Sequence, residues 1–443
     1  MGMEGVTLYW FRRDLRLGDN HGLYQALKSS HPVLPIFIFD TTILDKLEDN
    51  YDARVTYLHD RIATLKLELE ALGGTLLVMH GVPAVVLSQL METLSVREIF
   101  LNKDYEGYAK ARDAEVAELC RHRGVAFLSF KDHVIFEEKE VVSKGAGTPY
   151  TVFTPYSKAW KEKLGQQDSV GLRSFPSGSL LPGKLYRPNG TWKMPSLDNL
   201  GFSRSGINIP SCHINRDLVS RYSNDRNFPS QSGTSRLGIH LRFGTLGIRE
   251  LAREVQALDG TFFNELIWRD FYAQILANFP HVERESFRRI YDQIPWKNRL
   301  DYFERWKTGT TGFPLVDAGM RELAATGFMH NRVRMLTASF LTKHLLTDWR
   351  WGEAWFAEKL LDFELASNNG GWQWAAGCGT DAAPYFRIFS PQAQLERFDP
   401  KLVYVRQWVP EYGSSAYPEP IIDHRKAVAE CLEAYQSVLK PGG

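Results

Sequence analysis

Cysteine is scarce in this chain: four among 443 residues, Cys120, Cys212, Cys378 and Cys431, at spacings that fit neither a disulfide framework nor a metal site. They read as ordinary thiols of a reducing cytoplasm, and no metal is expected. No apolar run approaches the ~20 residues that cross a bilayer, so a helical membrane span is excluded. The start of the chain lacks a signal-peptide core, because the apolar stretch 6–11 meets Arg12 and Arg13 at once. An excess of charge is also missing. Fifty-three Lys and Arg face 52 Asp and Glu, a net charge of +1, so no global basic field announces nucleic acid. A local basic groove is still compatible with that balance. Nor does G-x-G-x-x-G follow the first apolar run, which argues against a conventional NAD site there.

Aromatic residues are abundant, at 13% with 12 Trp. Some of that excess builds cores; the rest suits stacking surfaces for a cofactor ring or for bases. The length predicts two domains. Over residues 1–130, short apolar runs at 6–11, 33–39, 75–80, 98–102 and 126–130 alternate with amphipathic stretches at 54–72 and 109–122. That alternation predicts a doubly wound, Rossmann-like α/β domain with a parallel sheet. Residues 131–215 are rich in Gly, Pro and Ser and read as an interdomain connection. Within them G-S-L-L-P-G-K at 178–184 mimics a phosphate loop, but Leu185 stands where Ser or Thr would bind Mg²⁺, so chance is the better account. Residues 216–443 show helical spacing at 248–258, 265–278, 315–326, 333–346, 352–361 and 426–439, and predict an all-α domain.

Several constellations carry chemistry. The segment 232–238, S-G-T-S-R-L-G, offers backbone N–H groups and the hydroxyls of Thr234 and Ser235 at a helix start, a setting for phosphate or pyrophosphate; a plain N-cap is the bland alternative. In N-E-L-I-W-R-D-F-Y at 264–272, Glu265, Trp268 and Arg269 share one helix face. A carboxylate, a large ring and a guanidinium there suit nucleobase recognition, although a salt-bridged helix with a buried Trp would look the same. The run N-N-G-G-W-Q-W at 368–374 sets two tryptophans one residue apart beside paired Asn and Gly.

These segments together resemble the class I cyclobutane pyrimidine dimer photolyases of the cryptochrome/photolyase superfamily, along essentially the whole chain and most densely from 222 to 387. The resemblance implies a C-terminal helical FAD-binding domain. Tyr222, Thr234, Ser235, Arg236, Leu237 and Gly238 match the positions around the adenine and diphosphate, with Gly238 in place of the usual Ser. Phe262, Arg269, Arg334, Asp362, Glu364 and Asn368 match the rest of the flavin pocket, with Arg334 expected to pair with Asp362, Glu364 replacing a more usual Asp, and Asn368 facing flavin N5. Glu265, Trp268, Asn331, Met335, Trp374, Arg226, Arg332 and Arg387 match lesion and DNA contacts, and His330 is expected to be structural. Trp372, Trp349 and Trp296 match a chain of tryptophans for photoreduction. R-R-D-L-R-L at 12–17 resembles the opening motif of the superfamily; a salt-bridge cluster is the bland alternative. The folate antenna pair would fall at Tyr108 and Ala109, so that pattern is absent, leaving a deazaflavin, a flavin or no antenna. The implied activity is light-driven repair of cyclobutane dimers in UV-damaged DNA by electron transfer from excited FADH⁻, in a cytoplasmic monomer. The alternatives are a cryptochrome-type blue-light receptor, whose long C-terminal extension and altered lesion residues are not seen, and a dark flavin oxidoreductase, for which no nicotinamide motif is found.

Overall fold

The computed structural model describes residues 5–166 and 170–439. The chain forms two compact units. One comprises Met1–Glu140, Lys161–His213 and Leu237–Glu254; the other comprises Val141–Trp160, Ile214–Arg236 and Val255–Gly443.

The first unit is built on a parallel sheet of five strands, β1 (Val6–Phe11), β2 (Val33–Asp40), β3 (Leu77–Gly81), β4 (Val96–Asn102) and β5 (Ala126–Phe130), in the order β3-β2-β1-β4-β5. β1 and β2 are buried along their whole length, which is why they read as continuous apolar runs rather than as alternating ones. Side chains still alternate between two cores: Tyr9 and Phe11 pack with Phe37, Phe39 and Leu65, whereas Leu8 and Trp10 pack with Ile36, Ile38 and Leu87. The helices Ala53–Ala71 and Gly107–Arg123 lie within two residues of their predicted bounds.

The charged turn after β1 is an ion-pair cluster, and the pairs named here lie within the first unit. Arg12 pairs with Asp113 at 2.5 Å, Arg13 with Glu106 at 2.7 Å, and Arg16 with Asp132 at 2.7 Å. Arg249 reaches the same Asp132 at 2.6 Å. Against the upward push of burial, Arg16 and Arg249 hold the Asp132 carboxyl well below the usual carboxylate range. Where the sheet order reverses, between β1 and β4, Arg112 lies 5.0 Å from the Trp10 ring and 5.6 Å from that of Tyr108, whose hydroxyl donates to Asp40 at 2.5 Å. Open α/β sheets bind ligands at such reversals.

The second unit is helical. Its main core gathers Trp306, Phe340, Trp349, Phe356, Trp372, Tyr404 and Tyr435. The periodic stretch 333–346 is not one continuous α-helix: Asn331–Ser339 is followed by a π-helical turn, Phe340–His344. That wider turn buries Thr342, Lys343 and His344, and the Lys343 ammonium donates to the Arg387 carbonyl at 3.0 Å. The segment 131–215, read as a connection, contains the helix Phe153–Gln166, and the phosphate-loop mimic forms only the short turn Ser177–Leu180. Among the described residues no helix is long and apolar enough to cross a membrane, and no cluster of three His, Cys, Asp or Glu could hold a metal ion.

Candidate active site

The helix Gly260–Asn278 carries the first group of side chains. Asp259 caps it by accepting from the N–H groups of Thr261 and Phe262, both at 2.8 Å. Glu265 forms an ion pair with Arg226. Burial pushes the Glu265 carboxyl up against the pull of that guanidinium. Arg226 also lies 5.2 Å from the ring of Tyr222, which meets Phe262 edge-on at 5.0 Å. Trp268 is half-buried and stacks on Phe153 with ring centroids 3.6 Å apart. Arg269 pairs with Glu364 at 3.0 Å. The three residues of the shared face therefore divide: Glu265 and Arg269 hold separate ion pairs, and Trp268 joins a ring stack.

The helix Asn331–Ser339 opens under His330, whose Nδ1 accepts from the Arg332 N–H at 3.2 Å. The structural role expected of His330 is thus an N-cap. Asn331 is exposed and Met335, one turn on, is half-buried, so both can be reached by a ligand. Arg332 donates to Asn227 at 2.5 Å and lies 4.4 Å from the Phe398 ring. Its guanidinium is held below its ordinary pKa, first by burial and then by the positive charges of Arg226, Arg397 and Arg387. Arg387 is exposed, 5.9 Å from the Phe389 ring, and Trp374 packs 6.5 Å from the same ring. Arg397 was not singled out from the sequence; nothing local distinguishes it from any helix-surface arginine.

The hydroxyl loop contains a close approach that only glycine allows. A Cβ on Gly233 would sit 2.7 Å from the Asp225 carbonyl oxygen. Thr234 and Ser235 follow, half-buried. Arg236 adopts a left-handed backbone, φ 53°, and lies 4.3 Å from the Phe328 ring and 3.9 Å from Glu322. Leu237 is buried, and Gly238 opens the helix Gly238–Phe243.

Arg334 and Asp362 form the expected pair, with two contacts at 2.9 and 3.1 Å. Asn368 donates from its amide nitrogen to Glu353, at 3.1 Å to the carbonyl and 2.8 Å to the carboxyl. The orientation leaves the Asn368 side-chain oxygen as an acceptor. Burial pushes the Glu353 carboxyl up from 4.5 to about 7, and the Asn368 hydrogen bond only partly offsets this. Sequence reasoning missed Glu353, which looks like one more charge on an exposed helix face. The sign of its contribution is testable. A raised folded pKa gives stability that is present below about 4.5 and is lost as the pH rises through about 7. Glu353→Gln cannot ionise, so melting curves should show it gaining on the parent above pH 7 and not at pH 5.

Trp372 and Trp349 are buried and Trp296 is half-buried. Trp372 meets Phe356 at 4.9 Å and Trp306 at 6.0 Å; Trp349 lies 4.8 Å from Arg350; Trp296 meets Tyr435 edge-on at 6.1 Å. The recorded ring partners of each are thus other residues than its predicted neighbours in the chain. Their shared property is different: all three indole N–H groups are buried without a hydrogen-bond partner, and among the described residues no other indole N–H is in that state. Trp306 and Trp160, also buried, donate to the Thr337 carbonyl at 3.1 Å and to Asp270 at 3.0 Å. An unpaired buried donor costs roughly 1–3 kcal/mol.

The residues fit a flavin dinucleotide. Two self-neutralised guanidinium–carboxylate pairs, Arg269–Glu364 and Arg334–Asp362, give polar edges without net charge. Asn368 offers an acceptor, and the Gly233 loop has room for backbone alone.

Comparison with known proteins agrees with this geometry. Residues 7–174 match the DNA photolyase domain, and residues 262–415 match the FAD binding domain of DNA photolyase. The deoxyribodipyrimidine photo-lyase of Halobacterium salinarum is 36% identical over 97% of this chain and 99% of its own. A bacterial class III photolyase from Agrobacterium tumefaciens superposes with a TM-score of 0.87 at 31% identity, covering 99% of this chain and 98% of that one. An archaeal photolyase from Sulfolobus tokodaii, solved with two FAD molecules and described as implying a novel light-harvesting cofactor, gives a TM-score of 0.77 at 31% identity over 98% and 100%. The chain belongs to the DNA photolyase family, within the photolyase/cryptochrome superfamily.

Proposed function

We propose that this chain is a deoxyribodipyrimidine photo-lyase that binds UV-damaged DNA as a cytoplasmic monomer and reverses cyclobutane pyrimidine dimers under blue light. One observation carries the DNA part of this reading. Arg332 is half-buried, and burial first, then the like charges of Arg226, Arg397 and Arg387, hold its guanidinium below its ordinary pKa. Gathering guanidinium groups in this way is unfavourable until a polyanion relieves it. The class I assignment rests on the segment 264–272 and on Asn331 and Met335.

FAD, when bound in its reduced form and excited, supplies the electron that the repair chemistry needs. The remaining work falls to the protein. Tyr222 and the 234–238 loop would hold the adenine diphosphate, and Phe262, Arg269, Arg334, Asp362, Glu364 and Asn368 the ring system. The Asn368 oxygen holds a proton donor in place there, and its amide is kept from rotating by Glu353. Trp268 presents a ring to the lesion, and Asn331 and Met335 offer a hydrogen bond and a soft apolar wall. Glu265, raised in pKa by burial, can stabilise charge that develops on the lesion. Trp296, Trp349 and Trp372 lead electrons inward to recharge the cofactor.

The deciding experiment illuminates the purified protein with an oligonucleotide containing a thymine dimer and analyses the product. Appearance of intact thymines in light and not in the dark is expected, with FAD released on heating; absence of FAD overturns the mechanism. Trp268→Ala should weaken dimer binding by roughly 1–3 kcal/mol, the usual contribution of one base–aromatic stack. Binding should also weaken with salt, with a log–log slope of about −0.9 per phosphate neutralised on duplex DNA.

A further inference from the structure

We infer that Phe153, 115 positions before Trp268 in the sequence, is a positioning residue for lesion recognition: it fixes the plane of the Trp268 indole on which the flipped pyrimidine dimer stacks. The inference rests on the reading of Trp268 as the lesion-facing ring.

The two rings lie face to face, centroids 3.6 Å apart and 5° from parallel, the closest and nearly the flattest ring contact among the described residues. Ring pairs on a protein surface more often tilt or meet edge-on, because their quadrupoles disfavour the sandwich. Here the arrangement is imposed by the backbone around it. The helix Phe153–Gln166 lays Phe153, Tyr156 and Trp160 along one face, at i, i+3 and i+7. Each meets the helix Gly260–Asn278: Phe153 on Trp268, Tyr156 on Phe271 at 5.3 Å, and the Trp160 N–H on Asp270 at 3.0 Å. Gln274 of the same helix donates to the Tyr150 carbonyl at 2.8 Å. The Phe153 N–H donates to Asp381 at 3.3 Å, and Asp381 is itself held in a left-handed backbone, φ 47°. Phe153 is therefore fastened from several sides before any ligand arrives.

Trp268 is fastened less. Its other ring neighbours are Phe271, edge-on at 5.5 Å, and Tyr272, tilted at 5.4 Å. Neither lies flat against it, and the indole stays half-exposed. Without Phe153 the indole could rotate about its side-chain torsions, and binding would have to arrest that motion. With Phe153 the ordering cost is met on folding, and the uncovered part of the indole is held ready for a base.

The test compares an oligonucleotide carrying one thymine dimer with its undamaged twin, binding each in the dark to the FAD-loaded full-length protein. Phe153→Leu fills most of the volume but removes the flat ring; it should cost about five- to tenfold of the preference for damaged DNA, while affinity for the undamaged duplex and the melting temperature hold. Phe153→Tyr restores the flat ring and should return the preference to within about twofold. Trp268→Ala separates the two readings. If Phe153→Leu keeps the parental preference while Trp268→Ala loses it, the lesion pocket stands and the role of Phe153 is overturned. A loss in Phe153→Leu that is equal for both duplexes, follows the melting temperature and is not recovered by Tyr also overturns it. Unchanged preference in Trp268→Ala overturns the lesion-facing reading of Trp268 and the inference with it.

Discussion

In Trp372→Phe, light no longer reduces the oxidised cofactor at a useful rate, while enzyme reduced chemically beforehand repairs dimers as the parent does. That is the expected result. Trp372 is 2% exposed, and its six-membered ring fills the space beside Gly352, where a Cβ would come within 2.1 Å of it. Phenylalanine keeps the apolar contact with Phe356 but is far harder to oxidise. Even ~1.4 kcal/mol added to the electron-transfer barrier slows the step about tenfold, and the true increase should exceed that. The substitution also removes a buried N–H that has no partner, so part of the packing loss is offset and the fold should survive. In the proposed chain, the buried N–H of Trp372, Trp349 and Trp296 meets no acceptor, so an indole that gives up an electron has no partner to take its proton. Transient absorption after a blue flash reads the result directly. Parental photoreduction kinetics in Trp372→Phe would remove these three tryptophans from the mechanism.

The sheet was legible in the sequence because its central strands are buried on both faces. β1 and β2 then appear as unbroken apolar runs, and their bounds shift by no more than a residue. Two other strands fit less closely: β3 begins at Leu77, two residues later than the run at 75–80 predicts, and β4 begins at Val96, two residues earlier than the run at 98–102 predicts. The helix Phe153–Gln166 was obscured by its neighbourhood. Pro155 lies inside it, Gly and Ser flank it, and only three of its fourteen residues, Tyr156, Ser157 and Trp160, are fully buried. Its apolar stripe makes sense only against Gly260–Asn278, more than a hundred residues away.

Candidate site residues were legible as residue types at motif positions, but their partners were not. Glu265 and Arg269 share a helix face and yet serve Arg226 and Glu364 respectively. Arg334 and Asp362 meet as the motif suggested. Glu353, Arg397 and Phe153 gave no local signal, since what marks each is another segment: the Asn368 amide, the arginines around Arg332, the indole of Trp268. Periodicity reports the face a side chain occupies, not which distant group stands opposite.

The reduced, illuminated enzyme should restore cyclobutane dimers and leave (6-4) photoproducts untouched. Reversal of a (6-4) product requires a proton delivered as the electron arrives, and near neutral pH the suitable donor is an imidazolium. The two positions on the helix Asn331–Ser339 that the family resemblance assigns to the lesion are Asn331 and Met335, and neither is an acid. His330 precedes them and is the imidazole to be considered. Its Nδ1 is occupied as an acceptor by the Arg332 N–H, and it is only 3% exposed. Burial first, and then the charges of Arg332 and Arg334, lower its pKa to about 4. At neutral pH His330 is therefore uncharged, and its Nε2 is buried without a hydrogen-bond partner. A cyclobutane dimer asks for less: an electron, a fixed geometry, and a hydrogen bond to the charge that develops, which Asn331 can give. Both lesions are given to the same light-treated enzyme, and products are separated by chromatography. Efficient (6-4) reversal by the parent chain would show that a proton donor reaches the lesion, and the argument from Asn331, Met335 and the buried His330 would then fall.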